Sequence, residues 1–320
     1  MNNQYESDEP RRHRTKRRSG TKILLWILGV CGVLAILICG GAGFLVYRLL
    51  TPTSFPAQTE DYVEARKQFR TLLARRGPAP QPGGSEVPPP GAKEVEYQSG
   101  DLRLRAWMNE TSSEPRKPAI LYLHGGFAFG LEDWEQAQPF RDGGFVVMMP
   151  ILRGENGQPG AFTMFYDEVD DVLAAAEALR AMPEVDPNRL YVAGHSVGGT
   201  LALLAAMSSN RFRAAASFSG SPDQVAFARG QPELVPFDQN DPREFQMRSP
   251  LAFPRSFKCP VRLYYGNQEF FFRSSSQELA RQAKSSGLDV EAVSVPGDHM
   301  SAVPEAMRQC IEFFNRKARE

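Results

Sequence analysis

Histidine and cysteine are scarce in this chain, which carries four of each among 320 residues. No Cys/His cluster has the spacing of metal ligands, so neither a structural zinc site nor any other metal or cofactor is predicted. Internal repeats are also missing, which argues against a solenoid built from this sequence. Any chemistry must therefore come from ordinary side chains that the fold brings together.

Two of the four cysteines, Cys31 and Cys39, lie in a long apolar stretch and are expected to act as small apolar residues. The other two, Cys259 and Cys310, lie in the larger C-terminal part of the chain. A disulfide between them and a pair of buried free thiols both stay open from the sequence.

Charge is balanced over the whole chain but not along it. Residues 1–50 hold eight Lys/Arg against three Asp/Glu, and residues 23–47 are uncharged and mostly apolar. As a helix, residues 23–47 would extend about 37 Å, enough to cross a hydrocarbon core of about 30 Å. A cleavable signal peptide would have a shorter apolar region followed by a small-residue cleavage site, and neither is present. We therefore predict an uncleaved transmembrane helix at 23–47.

Seven of those eight cations precede the apolar span, which predicts its orientation. Cationic residues stay on the cytoplasmic side, so residues 1–22 should form a basic cytoplasmic tail and the C-terminal bulk should lie outside the cytoplasm. This topology signal explains the basic run Arg11–Arg18, and nucleic acid is therefore not an expected partner. The sequence predicts a single-pass membrane protein.

Residues 48–94 join the predicted span to the rest of the chain. Asp61 to Arg75 has the apolar spacing of a short amphipathic helix. Gly77 to Gly91 consists almost entirely of Pro, Gly and small polar residues, which predicts an extended linker without a core. We expect this linker to hold the following domain away from the bilayer.

From residue 95 to residue 320 the pattern is that of one packed domain. Two alternating segments predict an antiparallel pair at its start, and short apolar runs predict buried strands after it. These strands are Lys93–Gln98, Leu102–Met108, Ala119–Leu123, Phe145–Met149, Leu190–Ala193, Ala214–Phe218, Val261–Tyr265 and Val290–Val295. Helical segments separate most of them, at Glu132–Arg141, Asp167–Ala181, Val197–Ser208, Ser274–Ser286 and Ser301–Lys317. Strands alternating with helices predict an α/β fold with a mostly parallel sheet covered on both faces.

One segment breaks the alternation of strands and helices. Residues 221–257 are rich in Pro, Phe and charge, and they lie where a sheet enzyme often carries a cap. Such insertions usually shape the substrate pocket. Surface packing without substrate contact is the other interpretation.

The most informative motif is Gly194-His195-Ser196-Val197-Gly198, which lies between an apolar run and an Ala/Leu-rich helix. A strand, a tight Gly-x-Ser-x-Gly turn and a helix form the context in which serine becomes a nucleophile. The turn is so sharp that glycine is needed two residues on either side of the serine. Ser196 would also lie at a helix N-terminus, which favours negative charge.

A serine hydroxyl needs a base to take its proton, and histidine is the usual base. Residues 95–320 contain three histidines, of which His195 precedes the serine and should point away from its hydroxyl. His299 follows the last predicted strand, where a loop at the carboxyl edge of the sheet would carry the imidazole over the turn. The sequence therefore predicts His299 as the general base for Ser196.

The third member of such a triad is a carboxylate that follows the preceding strand, in the order Ser, acid, His. Glu269 lies three residues past the strand-ending Gly266 and is the predicted acid. Asp298 and Asp238 are weaker competitors, because the side chain of Asp298 should diverge from that of its neighbour His299. The acid would hold the imidazole in the right tautomer.

Backbone donors are needed to bind the oxyanion that forms during acyl transfer. One is expected to be the N–H of Val197, directly after the nucleophile. The other should come from the loop Leu123-His124-Gly125-Gly126-Phe127, where Gly126 or Phe127 would supply it.

Residues 95–320 resemble an α/β-hydrolase, in particular the hydrolase domain of the prolyl oligopeptidase and dienelactone hydrolase-like group. Besides the serine motif and the His-Gly-Gly loop, the resemblance rests on Arg153-Gly154-Glu155-Asn156-Gly157-Gln158-Pro159-Gly160 and on Asp186-Pro187-Asn188-Arg189. Two residues depart from it, since Phe127 stands where these peptidases usually have proline and Glu269 replaces aspartate. The stretch before residue 95 is too short for the β-propeller of true prolyl oligopeptidases.

Together these observations predict a membrane-anchored serine hydrolase that cleaves an ester or amide bond through an acyl-enzyme, with a small molecule or a peptide as substrate. The resemblance alone favours a peptidase-like or broad acyl hydrolase over a strict esterase. The alternative is a non-catalytic, membrane-anchored binding or scaffold protein that retains the fold.

Overall fold

The computed structural model describes residues 56–84 and 87–320. Eight strands form one sheet at its centre, in the order β1-β2-β4-β3-β5-β6-β7-β8. Strand β2 is antiparallel to both of its neighbours, β1 and β4, and β3 to β8 pair with one another in parallel. The strands are β1 Ala92–Ser99, β2 Leu102–Asn109, β3 Lys117–Leu123, β4 Val146–Pro150, β5 Val185–His195, β6 Ala214–Phe218, β7 Val261–Gly266 and β8 Val290–Val295.

Helices cover both faces of the sheet. The helices of the described chain are α1 Tyr62–Gln68, α2 Leu131–Gln136, α3 Gln138–Asp142, α4 Glu168–Arg180, α5 Val197–Ser208, α6 Gln224–Gly230, α7 Pro242–Gln246, α8 Phe270–Ser285 and α9 Val303–Lys317. One apolar cluster joins α4, α5 and α8 to the sheet, and a second joins α2, α3 and α9 to it. The predicted mostly parallel α/β sheet, which is an α/β-hydrolase fold, is confirmed.

Two predicted helices differ from the observed ones. The helix predicted over Glu132–Arg141 is two short helices that meet at Ala137. Pro139 lies in the first turn of α3, where the missing N–H of proline starts a helix rather than continuing one. Helix α8 begins at Phe270, four residues before the predicted Ser274.

The segment predicted to be a linker lies against the domain wherever it is described. Helix α1 ends at Gln68, shorter than the predicted Asp61 to Arg75. Tyr62 is fully buried, and its hydroxyl donates to Met247 O at 2.9 Å. Farther along, Leu73 forms a single β-bridge with Phe237. Residues 56–84 therefore belong to the packed unit.

Residues 221–257 connect β6 to β7, as the broken alternation predicted. They carry α6, α7 and two 3-10 turns, Pro232–Leu234 and Pro250–Ala252. A buried ion pair joins Arg248 to Glu244 at 2.5 Å, and the same guanidinium donates to Thr163 O at 3.0 Å. These contacts fix the insertion to the domain body.

Cys259 and Cys310 are free thiols rather than a disulfide. Cys310 is fully buried on α9. Burial raises the pKa of Cys259 to about 12, so this thiol stays protonated and unreactive near neutral pH.

The predicted cytoplasmic tail, residues 1–22, and the predicted transmembrane helix, residues 23–47, lie outside the described residues. In the part of the chain that is described, no helix combines the length and the apolar character needed to cross a bilayer.

Candidate active site

Ser196 occupies a sharp turn between β5 and α5. Its φ of +53° is strained for a residue with a side chain, and its N–H donates to Phe218 O at 2.8 Å. A Cβ built on Gly198 would lie 2.1 Å from Leu123 O, and one on Gly194 would lie 2.4 Å from the backbone of Gly198. Only glycine at both positions allows the strand and helix to approach this closely, as the motif predicted.

His299 and Glu269 meet at the carboxyl edge of the sheet. Glu269 follows β7 and His299 follows β8, so adjacent parallel strands deliver both side chains to one place. Nδ1 of His299 lies 2.7 Å from Oε1 of Glu269, and the carboxylate is buried. Because Nδ1 faces the acid, Nε2 is the ring nitrogen left for a substrate or nucleophile.

The second carboxylate oxygen of Glu269 is held equally firmly. Oε2 accepts from the Ser219 hydroxyl and from the N–H of Gly266, each at 2.6 Å. Burial alone would raise the pKa of Glu269, but the hydrogen bonds from His299, Ser219 and Gly266 outweigh it and lower the pKa. Glu269 is therefore an anion at neutral pH, which suits an acid that orients an imidazole.

The competing carboxylates do not contact His299. Asp298 turns toward its own loop, where Oδ1 accepts from the Ser301 hydroxyl and from the N–H of Met300. These bonds, led by the one from Ser301, lower the pKa of Asp298 to about 2. Asp238 caps an exposed turn by accepting from the N–H of Asn240.

His195 connects the serine turn to the loop of His299. Its Nε2 lies 2.9 Å from the carbonyl oxygen of His299, and the two rings are 4.8 Å apart. Burial and the nearby His299 lower the pKa of His195 to about 4, so the ring is neutral and donates from Nε2. The His299 ring also stacks on Phe272, with ring centroids 5.0 Å apart.

The loop after β3 lies against the start of α5. The N–H of Gly198 donates to His124 O at 3.0 Å, which places this loop beside Val197. Gly126 has a φ of +68°, and the N–H of the following Phe127 donates to Oε1 of Gln81. Of the two predicted donors on this loop, the N–H of Phe127 is therefore the one bound to a carbonyl oxygen.

A buried ion pair supports the same loop. Nε2 of His124 lies 3.0 Å from Oε2 of Glu155, which also accepts from the N–H of Leu152. Burial alone would lower the pKa of His124, but the Glu155 carboxylate outweighs it and raises the pKa to about 9. His124 is thus a cation at neutral pH, and its ion pair with Glu155 orders the loop.

Two contacts of the site were not predicted. Ser219 directly follows β6, and its place at the carboxyl edge is a signal that could have found it. Gln81 lies in the Pro/Gly-rich stretch, whose composition gives no indication of what it contacts.

Comparison with known proteins places the chain among hydrolases. The profile of the prolyl oligopeptidase family matches residues 132–309. An uncharacterized peptidase of Bacillus subtilis, YtmA, is 26% identical over 183 residues, which cover 54% of this chain and 71% of that protein.

Solved structures share the fold at lower identity. An acylaminoacyl peptidase of Pyrococcus horikoshii matches with a TM-score of 0.58 and 22% identity, over 71% of this chain and 41% of that one. The Pyrococcus furiosus esterase Pf2001 matches with a TM-score of 0.61 and 20% identity, over 74% of this chain and 98% of the esterase. The chain thus spans less than half of the peptidase but nearly the whole esterase.

Proposed function

Because the chain belongs to the prolyl oligopeptidase family, we propose that it is a serine hydrolase in which Ser196 is the nucleophile, His299 the general base and Glu269 the orienting acid. The observation that carries this proposal is the 2.7 Å contact between Nδ1 of His299 and Oε1 of Glu269. It leaves Nε2 of His299 for proton transfer at the edge where the strained turn presents Ser196.

Acylation proceeds by attack of Ser196 Oγ on the substrate carbonyl carbon while its proton passes to Nε2 of His299. The carbonyl electron pair moves to the oxygen, which the N–H groups of Val197 and Phe127 bind. Loss of one such donor typically costs about 3 kcal/mol of transition-state stabilisation. Glu269 stabilises the imidazolium that forms, because its carboxylate stays ionised beside Nδ1.

Collapse of the tetrahedral intermediate expels the alcohol or amine, which takes the proton from His299. Water then enters, gives a proton to His299 and attacks the acyl carbon of the ester on Ser196. Collapse of this second tetrahedral intermediate breaks the bond to Ser196 Oγ and releases the carboxylic acid. Ser196 Oγ takes the proton back from His299. No cofactor takes part in either half of this cycle.

For the substrate we propose a peptide or an acylated small molecule. Relatives include a protein described as a peptidase and one described as an esterase, and both chemistries use the same acyl-enzyme. Hydrolysis of p-nitrophenyl esters without cleavage of aminoacyl p-nitroanilides would assign the esterase, and cleavage of both would assign the broader hydrolase.

Fluorophosphonate labelling of the full-length chain tests the proposed nucleophile. Labelling should be lost in Ser196→Ala and retained in Ser274→Ala, a control whose hydroxyl donates to carbonyl oxygens of its own helix. Glu269→Gln should strongly slow the labelling. A folded wild type that does not label would contradict the hydrolase and support a scaffold protein that retains the fold.

We also propose that residues 23–47 anchor the protein, with the N-terminus in the cytoplasm and residues 95–320 outside it. The support is the 25-residue uncharged stretch with seven cations before it. The full-length chain should stay in membranes after a carbonate wash, and a membrane-impermeant fluorophosphonate should label right-side-out vesicles. Release by carbonate would contradict the anchor, and labelling only after lysis would contradict the orientation.

A further inference from the structure

Residues 77–84 lie along the loop that follows β4, with bends at residues 78, 80 and 81. The N–H of Ala79 donates to Gly154 O, and the N–H of Phe162 donates to Gly77 O, both at 2.9 Å. Main-chain bonds made by residues two apart are the pattern with which an extended peptide adds to a folded domain.

Gln81 is the residue of this segment that enters the predicted oxyanion hole. Its Oε1 accepts from the N–H of Phe127, and a Cβ built on Gly126 would lie 2.6 Å from the same oxygen. This oxygen belongs to a carboxamide, the same functional group as the scissile bond of a peptide. Gln81 therefore takes up the Phe127 N–H, one of the two donors proposed for the substrate carbonyl oxygen.

Asn156 holds the far end of the segment. Its Nδ2 donates to Gly84 O at 2.9 Å and to Phe129 O at 2.8 Å, while its Oδ1 accepts from the N–H of Phe129 at 2.8 Å. The amide of Asn156 is thus fixed by the domain and presents a donor to a passing main chain. Gly83 packs directly on it, since a Cβ there would lie 2.5 Å from the Asn156 side chain.

We propose that the surface formed by Gly154, Asn156 and the Phe127 N–H binds the peptide chain of a substrate, and that residues 77–84 occupy this surface as a tethered competitor. The inference rests on the proposed function, because it takes the N–H of Phe127 as a donor to the reacting carbonyl. Ala79 is buried whereas Gln81 is exposed. Substrate can therefore displace Gln81 without uncovering a core side chain. Because substrate must first displace the segment, the segment raises the KM of the wild-type protein and leaves kcat unchanged.

Kinetics of the full-length chain test the competition. Gln81→Ala should lower KM by about two- to tenfold at unchanged kcat for p-nitrophenyl acetate and for an N-acyl tripeptide p-nitroanilide, the factor expected for one neutral hydrogen bond. Gly83→Val, which pushes the segment off Asn156, should lower KM for the peptide substrate. Gln58→Ala is the matched control, since within the described part of the chain this side chain forms a hydrogen bond only to Pro56 O. An unchanged or raised KM in Gln81→Ala would overturn the proposal.

Hydrogen exchange at the Phe127 amide tests the contact without any turnover. In a Ser196→Ala background, adding Gln81→Ala should speed this exchange, and adding Gln58→Ala should not. Equal exchange in all three proteins would overturn the proposal even if the enzyme is active. Exchange could be faster in Gln81→Ala while no protein that retains Ser196 hydrolyses any substrate. That result would support the contact of Gln81 with the Phe127 amide and would contradict only the proposed function.

Discussion

The Ser219 hydroxyl donates a 2.6 Å hydrogen bond to Oε2 of Glu269, while the other oxygen of that carboxylate lies 2.7 Å from His299. The acid is therefore held by a donor from the neighbouring strand as well as by the imidazole that it orients. This arrangement fixes the carboxylate although glutamate has one methylene more than aspartate. Fixing it limits the orientations available to the imidazole.

Glu269→Gln should lower kcat by roughly a hundred- to ten-thousandfold, because an amide can present an N–H to Nδ1 and favour the wrong tautomer. The measurement is kcat with a p-nitrophenyl ester. Asp298→Asn is the matched control, since it removes the carboxylate next to His299 and keeps the oxygen that accepts from Met300 and Ser301. A larger loss of kcat in Asp298→Asn than in Glu269→Gln would contradict the assignment of Glu269 as the orienting acid.

Ser219→Ala should lower kcat less, by about three- to tenfold, because it removes one of several hydrogen bonds to the acid. The pKa of Glu269 should rise in this variant, since a bond that favours the anion is gone. Titration of the Glu269 carboxyl by NMR would detect the rise, and an unchanged pKa would show that the hydroxyl does not stabilise the charge.

The strand ends that carry the candidate site residues could be predicted, because each of these strands is a short apolar run followed by a loop. Parallel strands end at the same edge, so Ser196, Glu269 and His299 all lie at that edge even though they are far apart in sequence. That Glu269 rather than Asp298 contacts His299 could also be predicted, since side chains of adjacent residues diverge. The sequence motifs thus determine which strand ends carry the candidate residues.

The contacts of residues 56–84 could not be predicted in the same way. Pro and Gly exclude regular structure for Gly77 to Gly84, but they do not show which surface an extended chain covers. Gln81 at the oxyanion loop and Tyr62 under the insertion both depend on tertiary docking. Local pattern carries no information about such docking, so a linker was the expectation.

Gly198→Ala should destabilise the fold by at least about 3 kcal/mol, because its Cβ would meet a backbone oxygen rather than a movable side chain. The clash separates β3 from α5, so fluorophosphonate labelling should fall together with stability. Gly230→Ala is the control, since a Cβ there meets nothing within 4 Å. Denaturant unfolding of both variants makes the comparison, and equal stabilities would contradict the tight turn.

Because His124 is paired with Glu155, we expect the free energy of unfolding to fall at alkaline pH. The pKa of His124 is raised from 6.5 to about 9, so its contribution is complete below about pH 6.5 and disappears as the pH rises through about 9. The free energy of unfolding should fall over this range by at most about 3 kcal/mol. In Glu155→Gln the free energy of unfolding should fall less over this pH range. An equal fall in the wild type and in this variant would show that other groups cause it.

Tyr62→Ala should lower the free energy of unfolding of the domain by about 3 kcal/mol or more, because Tyr62 is fully buried and hydrogen-bonded to Met247. Leu72→Ala, at a residue that is 78% exposed in the same segment, should change it by less than about 0.5 kcal/mol. Were residues 56–84 a free linker, the two variants would unfold alike. A single cooperative transition that shifts only in Tyr62→Ala would show that helix α1 is part of the folded domain rather than of a linker.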